Sequence, residues 1–104
     1  MNGNSPENRN VIYGDFEWDS MKNDANQKKH GIAFEGAIEV FEGSWLKVPT
    51  DHSSEKRWIA LGKAKRRVIA VIYTKRNDRI RMISARMARE DERAIYQDRI
   101  GDIS

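Results

Sequence analysis

Seven consecutive residues, Val68-Ile69-Ala70-Val71-Ile72-Tyr73-Thr74, form the most apolar run in the chain. Its β-branched and aromatic content suits a pleated strand, and its lack of alternation places it at the centre of a sheet, covered on both faces. The rest of the chain has to supply that cover from 104 residues, of which 38% are hydrophobic and 34% charged. One domain with a thin core and a broad solvated or partner-covered surface is the expected outcome.

Around this run the punctuation is local. Asn77-Asp78 supplies a turn into a strand over Arg79 to Ala85. Upstream, Arg57 to Gly62 is a strand pattern containing Trp58 and Ile59, joined to the central strand by a basic connection from Gly62 to Arg67. Ser44 to Val48 is a shorter strand stopped by Pro49, with a polar loop from Thr50 to Glu55 behind it. Short loops between consecutive strands imply an antiparallel meander. Before the meander, Asp19 is a good N-cap for a helix over Ser20–His30, and Gly31 is placed to end it. Lys28, Lys29 and His30 suit the negative end of that helix, and Met21 with Ala25 provides a narrow contact stripe. Phe34, Ala37, Ile38 and Phe41 repeat at helical spacing and predict a second helix, closing a tight helical hairpin. Val11 to Trp18 reads as one strand with a bulge or bend at Gly14. A last helix runs from about Arg89 to Tyr96. The sum is an α+β fold: a helical hairpin packed on a small antiparallel sheet, with a C-terminal helix. Residues 1–10 and 99–104 are expected to be tails flanking a domain over 11–98.

Charge is distributed unevenly. Residues 1–55 hold 5 Lys and Arg against 10 Asp and Glu, whereas residues 56–104 hold 14 against 6. The second half is therefore a candidate polyanion-binding surface. With no cysteine there is no disulfide, thiolate metal site or cysteine nucleophile. No apolar run approaches the ~20 residues that span a bilayer, and the polar start lacks a signal core, so no membrane role and a cytoplasmic location are expected. His30, His52 and the carboxylates lack metal-ligand spacing, so neither a metal nor another cofactor is expected.

A set of short pieces in fixed order resembles the BrnT family of toxins from bacterial type II toxin–antitoxin pairs. They are Phe16-Glu17-Trp18-Asp19, Lys22, Asn26 and Lys29-His30-Gly31-Ile32, then Phe34, Ala37 and Phe41. Glu55, Arg57-Trp58-Ile59-Ala60-Leu61-Gly62 and Tyr73-Thr74 follow, then Arg81-Met82-Ile83-Ser84-Ala85-Arg86, Glu92 and Tyr96. The resemblance implies a RelE-like fold and a ribonuclease that blocks translation. It also implies a BrnA-like ribbon-helix-helix antitoxin, operator DNA contacted only through that partner, and a heterotetramer built on an antitoxin dimer. One departure stands out: Arg89 occupies a position where the family often has a capping Ser or Thr, so the last helix is expected to start frayed or shifted.

Metal-free RNA cleavage uses the ribose 2′-hydroxyl as nucleophile and needs a base, an acid and cations for the phosphorane charge. Arginine suits the last role because its fork matches phosphate oxygens and it stays charged. Arg57 and Arg86 are the candidate phosphate clamps and Arg81 a further RNA contact; salt bridges to Glu17, Glu55 or Glu92 are the alternative use of all three. His30 is a candidate acid or base, or simply a C-terminal helix residue. Glu92 and Tyr96, four apart, share a helix face and are further catalytic candidates. Tyr96 then donates a proton or stacks a base, unless it anchors the helix to the sheet. Lys22 and Lys29 add positive field for RNA. Two other classes remain beside an endoribonuclease: a nucleic-acid-binding co-repressor without cleavage, and an interaction module whose arginines meet an acidic partner.

Overall fold

The computed structural model describes residues 9–50 and 56–101. His52, Glu55, most of the N-terminal tail and the last residues expected to fray lie outside that set. Within it the elements are β1 (Asn10–Tyr13), β2 (Phe16–Asp19), α1 (Ser20–His30), α2 (Phe34–Ala37), β3 (Leu46–Pro49), β4 (Trp58–Ala64), β5 (Arg67–Arg76), β6 (Arg79–Met87) and α3 (Glu90–Arg99). Among the described residues the strands form one sheet in the order β1-β2-β6-β5-β4-β3. This is the expected α+β architecture, with the apolar run at the heart of the sheet.

The meander β3 to β6 is antiparallel, while β2 joins β6 in parallel through Phe16 opposite Ile80 and Glu17 opposite Arg81. Two tight turns are built from non-glycine residues in the left-handed region: Lys65 (φ 51°) with Arg66 (φ 70°), and Asn77 (φ 52°) with Asp78 (φ 66°). Consecutive left-handed residues twist a two-residue hairpin in the same sense as its strands. The Gly62–Arg67 connection is therefore mostly strand, and only Lys65-Arg66 turns. The single strand expected over Val11 to Trp18 is instead a hairpin, because Gly14 takes φ 61° and reverses the chain rather than bending it.

α1 starts and stops where its caps place it. Asp19 Oδ1 accepts from the Met21 and Lys22 amides at 2.8 and 3.4 Å, and Gly31 closes the helix at φ 72°. Its inward face, however, is not the Met21/Ala25 stripe: Met21 is 57% exposed and Ala25 is exposed. The buried residues are Asn23 and Asn26. Asn23 Oδ1 accepts from the Phe34 amide (2.8 Å) and so caps the next helix from a distance. Asn26 Nδ2 donates to the carbonyls of Ile32 and Ala85 (both 2.8 Å), and its Oδ1 accepts from the Ala85 amide (3.1 Å). α1 is thus tied to β6 by hydrogen bonds of the Asn26 side-chain amide rather than by apolar area, which a search for apolar periodicity does not detect. The second helix is α-helical only to Ala37 and tightens to a 3₁₀ turn over Ile38–Glu42.

The face under α1 and α2 carries the larger core, with Trp18, Phe34, Val40, Ala60, Val71 and Met82 almost inaccessible. The opposite face is covered by α3, which packs Tyr96 on Leu61 and Ala70. α3 covers only part of that face. Ile59, Ile72 and Ile83 remain half-buried on the rest, so the central strand is sealed on one face and partly open on the other.

Candidate nucleic-acid interface

The open part of the sheet is where the arginines converge, and a β-bulge decides which ones. Residues five apart on a regular strand point to opposite faces, which would separate Arg81 from Arg86. In β6 the register runs Ile72 opposite Ser84, then Tyr73 opposite Met82, leaving Ile83 as an extra residue. Arg81 consequently pairs with Thr74 and Arg86 with Ala70. Those two partners are four apart on β5, so both arginines lie on the α3 side. One inserted residue has restored their parity.

Two adjoining clefts lie along this face. The first, about 390 Å3, is lined by Lys22, Lys56, Arg57, Lys75, Arg76 and Arg81, over Thr74 and Ile83. The second, about 440 Å3, has an aliphatic floor of Ile59, Ile72 and Ile83 beside Arg57, Arg86 and Arg89. Arg57 and Ile83 belong to both, so Arg57 stands at the junction. The backbone there is held by two hydroxyls: Thr74 Oγ1 donates to the Lys56 carbonyl (2.6 Å) and Thr50 Oγ1 to the Arg57 carbonyl (3.3 Å).

Arg81 and Arg86 also make the salt bridges weighed as their alternative use. Arg81 Nη1 donates to Glu17 Oε2 (2.7 Å) and to Asn10 Oδ1 (2.8 Å). Glu17, only 4% exposed, faces Arg76 as well, at 3.9 Å. Arg86 grips Glu92 in a two-pronged pair, Nη1 to Oε1 at 2.8 Å and Nη2 to Oε2 at 2.9 Å. This hydrogen-bonded pairing raises the Arg86 pKa and lowers that of Glu92, outweighing the opposing effect of burial on each. Glu92 is therefore an anion at neutral pH with both oxygens engaged, better suited to orienting Arg86 than to donating a proton.

Glu92 also repairs the helix start. Its Oε1 accepts from the Arg89 amide at 2.8 Å, half of a capping box; a guanidinium has no acceptor with which to complete the other half. α3 consequently begins at Glu90, in register with the sequence expectation, without the fraying that Arg89 suggested.

The remaining candidates are dispersed. Lys22 reaches the first cleft. Lys29 is exposed on α1 and His30 ends that helix half-buried, both outside the lining of the two clefts. Tyr96 is 5% exposed and lines a different cleft with Glu39, Glu42 and Lys63. Its hydroxyl donates to the Ser44 carbonyl at 3.3 Å, just before β3, while its side chain packs on Leu61 and Ala70 of the sheet. Lys56, Lys75 and Arg76 were not singled out by sequence, and Arg89 was noted only as a poor helix cap. The signal that could have found the first three was available, since they flank the ends of paired strands where side chains gather. Among the described residues, no group of three or more His, Asp or Glu is placed to hold a metal ion.

Chemically, the clefts can bind phosphates and stabilise charge on phosphoryl oxygens. Their described lining offers guanidinium, ammonium and hydroxyl groups but no imidazole. Fold and site thus define a class: a small α+β domain with a cationic cleft on a partly open sheet face, suited to a phosphate-bearing polymer. Comparison with known proteins makes this specific. The model of the BrnT ribonuclease toxin family of type II toxin–antitoxin systems matches residues 18–92, and the chain belongs to that family. No curated protein matches it. The matched span includes Arg57, Arg81, Arg86 and Glu92, and stops short of β1 and Tyr96.

Proposed function

We propose that this toxin is a metal-independent endoribonuclease that cleaves RNA in the cationic clefts, inhibits translation in the cytoplasm and is neutralised by a cognate antitoxin. The observation that carries the reading is the convergence of Arg57, Arg81 and Arg86 with Lys22, Lys56 and Lys75 on one open sheet face. In the reaction the 2′-oxygen attacks the adjacent phosphorus and the P–O5′ bond breaks. A 2′,3′-cyclic phosphate and a 5′-hydroxyl result, the proton passing from the 2′-hydroxyl to the leaving oxygen. Arg57, at the junction, stabilises the equatorial oxygens of the phosphorane, and Arg86 assists from an orientation held by Glu92. Arg81, Lys22 and Lys29 favour the approach of the RNA. His30 and Tyr96 are outside the lining of the two clefts, and this reading gives them no contact with the same phosphate. The partner is a ribbon-helix-helix antitoxin dimer that carries two toxin copies and contacts operator DNA itself.

A second reading has one observation in its favour: both oxygens of Glu92 are tied to Arg86. On that reading the protein binds nucleic acid as a co-repressor without cutting it. Incubating purified protein with labelled RNA in the presence of EDTA separates the two. Cleavage to cyclic-phosphate ends that falls about a hundredfold or more in Arg57→Ala supports the nuclease. Equal cleavage by both proteins points to a contaminant, and binding without cleavage supports the co-repressor.

A further inference from the structure

The adjoining clefts differ in chemistry more than a general phosphate-binding surface requires. In the first, six of the eight lining residues are cationic. In the second, three isoleucines and Pro49 provide an apolar surface, and Arg86 is already paired with Glu92. A single-stranded nucleotide has the same two halves: a charged backbone and a neutral, planar base that gains by leaving water. Resting on the ribonuclease reading, we infer that the second cleft is a nucleobase subsite. Its floor is Ile59, Ile72 and Ile83, and the phosphate attached to the bound nucleotide lies against Arg57.

Three features support this occupant. Among the described residues, the floor side chains are half-buried on a part of the sheet that α3 does not cover. The floor is continuous with the cationic cleft through Ile83, the extra residue of the bulge, so the same irregularity that aligns the arginines also joins the two chambers. Thr50 and Ser84 also line this cleft; their hydroxyl protons go to the Arg57 carbonyl and to Asn26 Oδ1, so towards a base edge their oxygens act as acceptors. The described floor is aliphatic, so it receives the base by apolar burial, with edge hydrogen bonds adding to it.

The test uses the full-length protein and two 2′-O-methyl oligonucleotides, which lack the nucleophilic hydroxyl and are not cleaved: one with bases, one abasic with the same number of phosphates. Fluorescence anisotropy at several salt concentrations yields affinity and salt slope. Wild type is expected to prefer the base-containing strand by about tenfold, the order of burying a small apolar surface against the isoleucine floor. In Ile72→Thr/Ile83→Thr that preference collapses towards unity while the salt slope is kept. In Lys75→Ala/Arg76→Ala the slope falls by about 0.7 for each phosphate that is no longer neutralised, and the preference is kept. Wild type binding both strands equally overturns the base subsite but leaves the polyanion surface standing, and so does a preference that survives the isoleucine changes. Failure to bind either strand at low salt overturns both the subsite and the ribonuclease reading. The wild-type comparison stands even if the isoleucine variant does not fold.

Discussion

Replacing Glu92 with glutamine changes little in shape and removes one charge from a largely enclosed position. The carboxylate is 11% exposed and its Arg86 partner 17%, and the two are joined by bonds of 2.8 and 2.9 Å. Removing one member of a fully buried pair costs about 3–5 kcal/mol, while exposed pairs are worth about 0–1 kcal/mol. The remaining exposure places this pair between those limits, at about 2–3 kcal/mol. The amide oxygen can still accept from the Arg89 N–H, so the helix cap is mostly retained. In a domain of this size each kcal/mol moves Tm by roughly 4–8 °C, so Glu92→Gln is expected to melt on the order of 10–20 °C lower at neutral pH. The pH dependence has a definite sign. The Arg86 hydrogen bonds hold the Glu92 carboxyl below its ordinary range. Its contribution is therefore complete above the unfolded carboxyl pKa, about 4.3, and is lost as pH falls through the lower folded value. Urea and thermal unfolding of wild type and Glu92→Gln, from neutral pH into acid, should show two curves that converge in acid. A neutral-pH difference below about 1 kcal/mol would show that the pair does not hold α3 to β6. A difference that persists unchanged into acid would assign the effect to shape rather than charge.

Other expectations test the frame around the site. A Cβ on Gly62 would sit 2.7 Å from Val40 Cγ1, 3.1 Å from Trp45 Cβ and 3.3 Å from the Val40 carbonyl. Gly62→Ala should therefore cost about 1–3 kcal/mol by overpacking, read as a lower urea midpoint at unchanged slope. Asn26→Ala leaves both polar groups of Ala85 without their side-chain partner and should destabilise by about 2–4 kcal/mol, with hydrogen exchange accelerated at Ala85 first. Arg86→Lys cannot reproduce the two-pronged grip on Glu92. It should lose stability and RNA cleavage together, whereas Arg57→Ala should lose cleavage with the smaller change in Tm.

Much of the framework is legible in the sequence because its signals are local. The Asp19 and Gly31 caps bracket α1, Asn77-Asp78 turns β5 into β6, and the apolar run occupies the middle of the sheet. Sequence reasoning fails where a residue's role depends on distant partners. Gly14 by itself suggests a bend, yet the chain reverses there so that β2 can lie beside β6. Met21 and Ala25 have the spacing of a buried stripe on α1, but Asn23 and Asn26 face inward because the Phe34 amide and Ala85 backbone need partners. Arg89 is a poor cap by itself, and Glu92 supplies what it lacks.

The candidate site divides in the same way. Residue order alone determined that the second half of the chain is basic, that Arg57, Arg81 and Arg86 belong to one family pattern, and that Glu17 and Glu92 were available to pair with them. Only the tertiary structure decided which cations share a cleft. Strand side chains alternate with period two, and the extra residue at Ile83 inverts that parity between Arg81 and Arg86. The bulge forms through pairing with β5 across the Asn77-Asp78 hairpin, and the propensity of the β6 residues alone does not encode where that register shifts. The same packing brings Arg57 to the junction of the two clefts and carries Tyr96 away to Ser44.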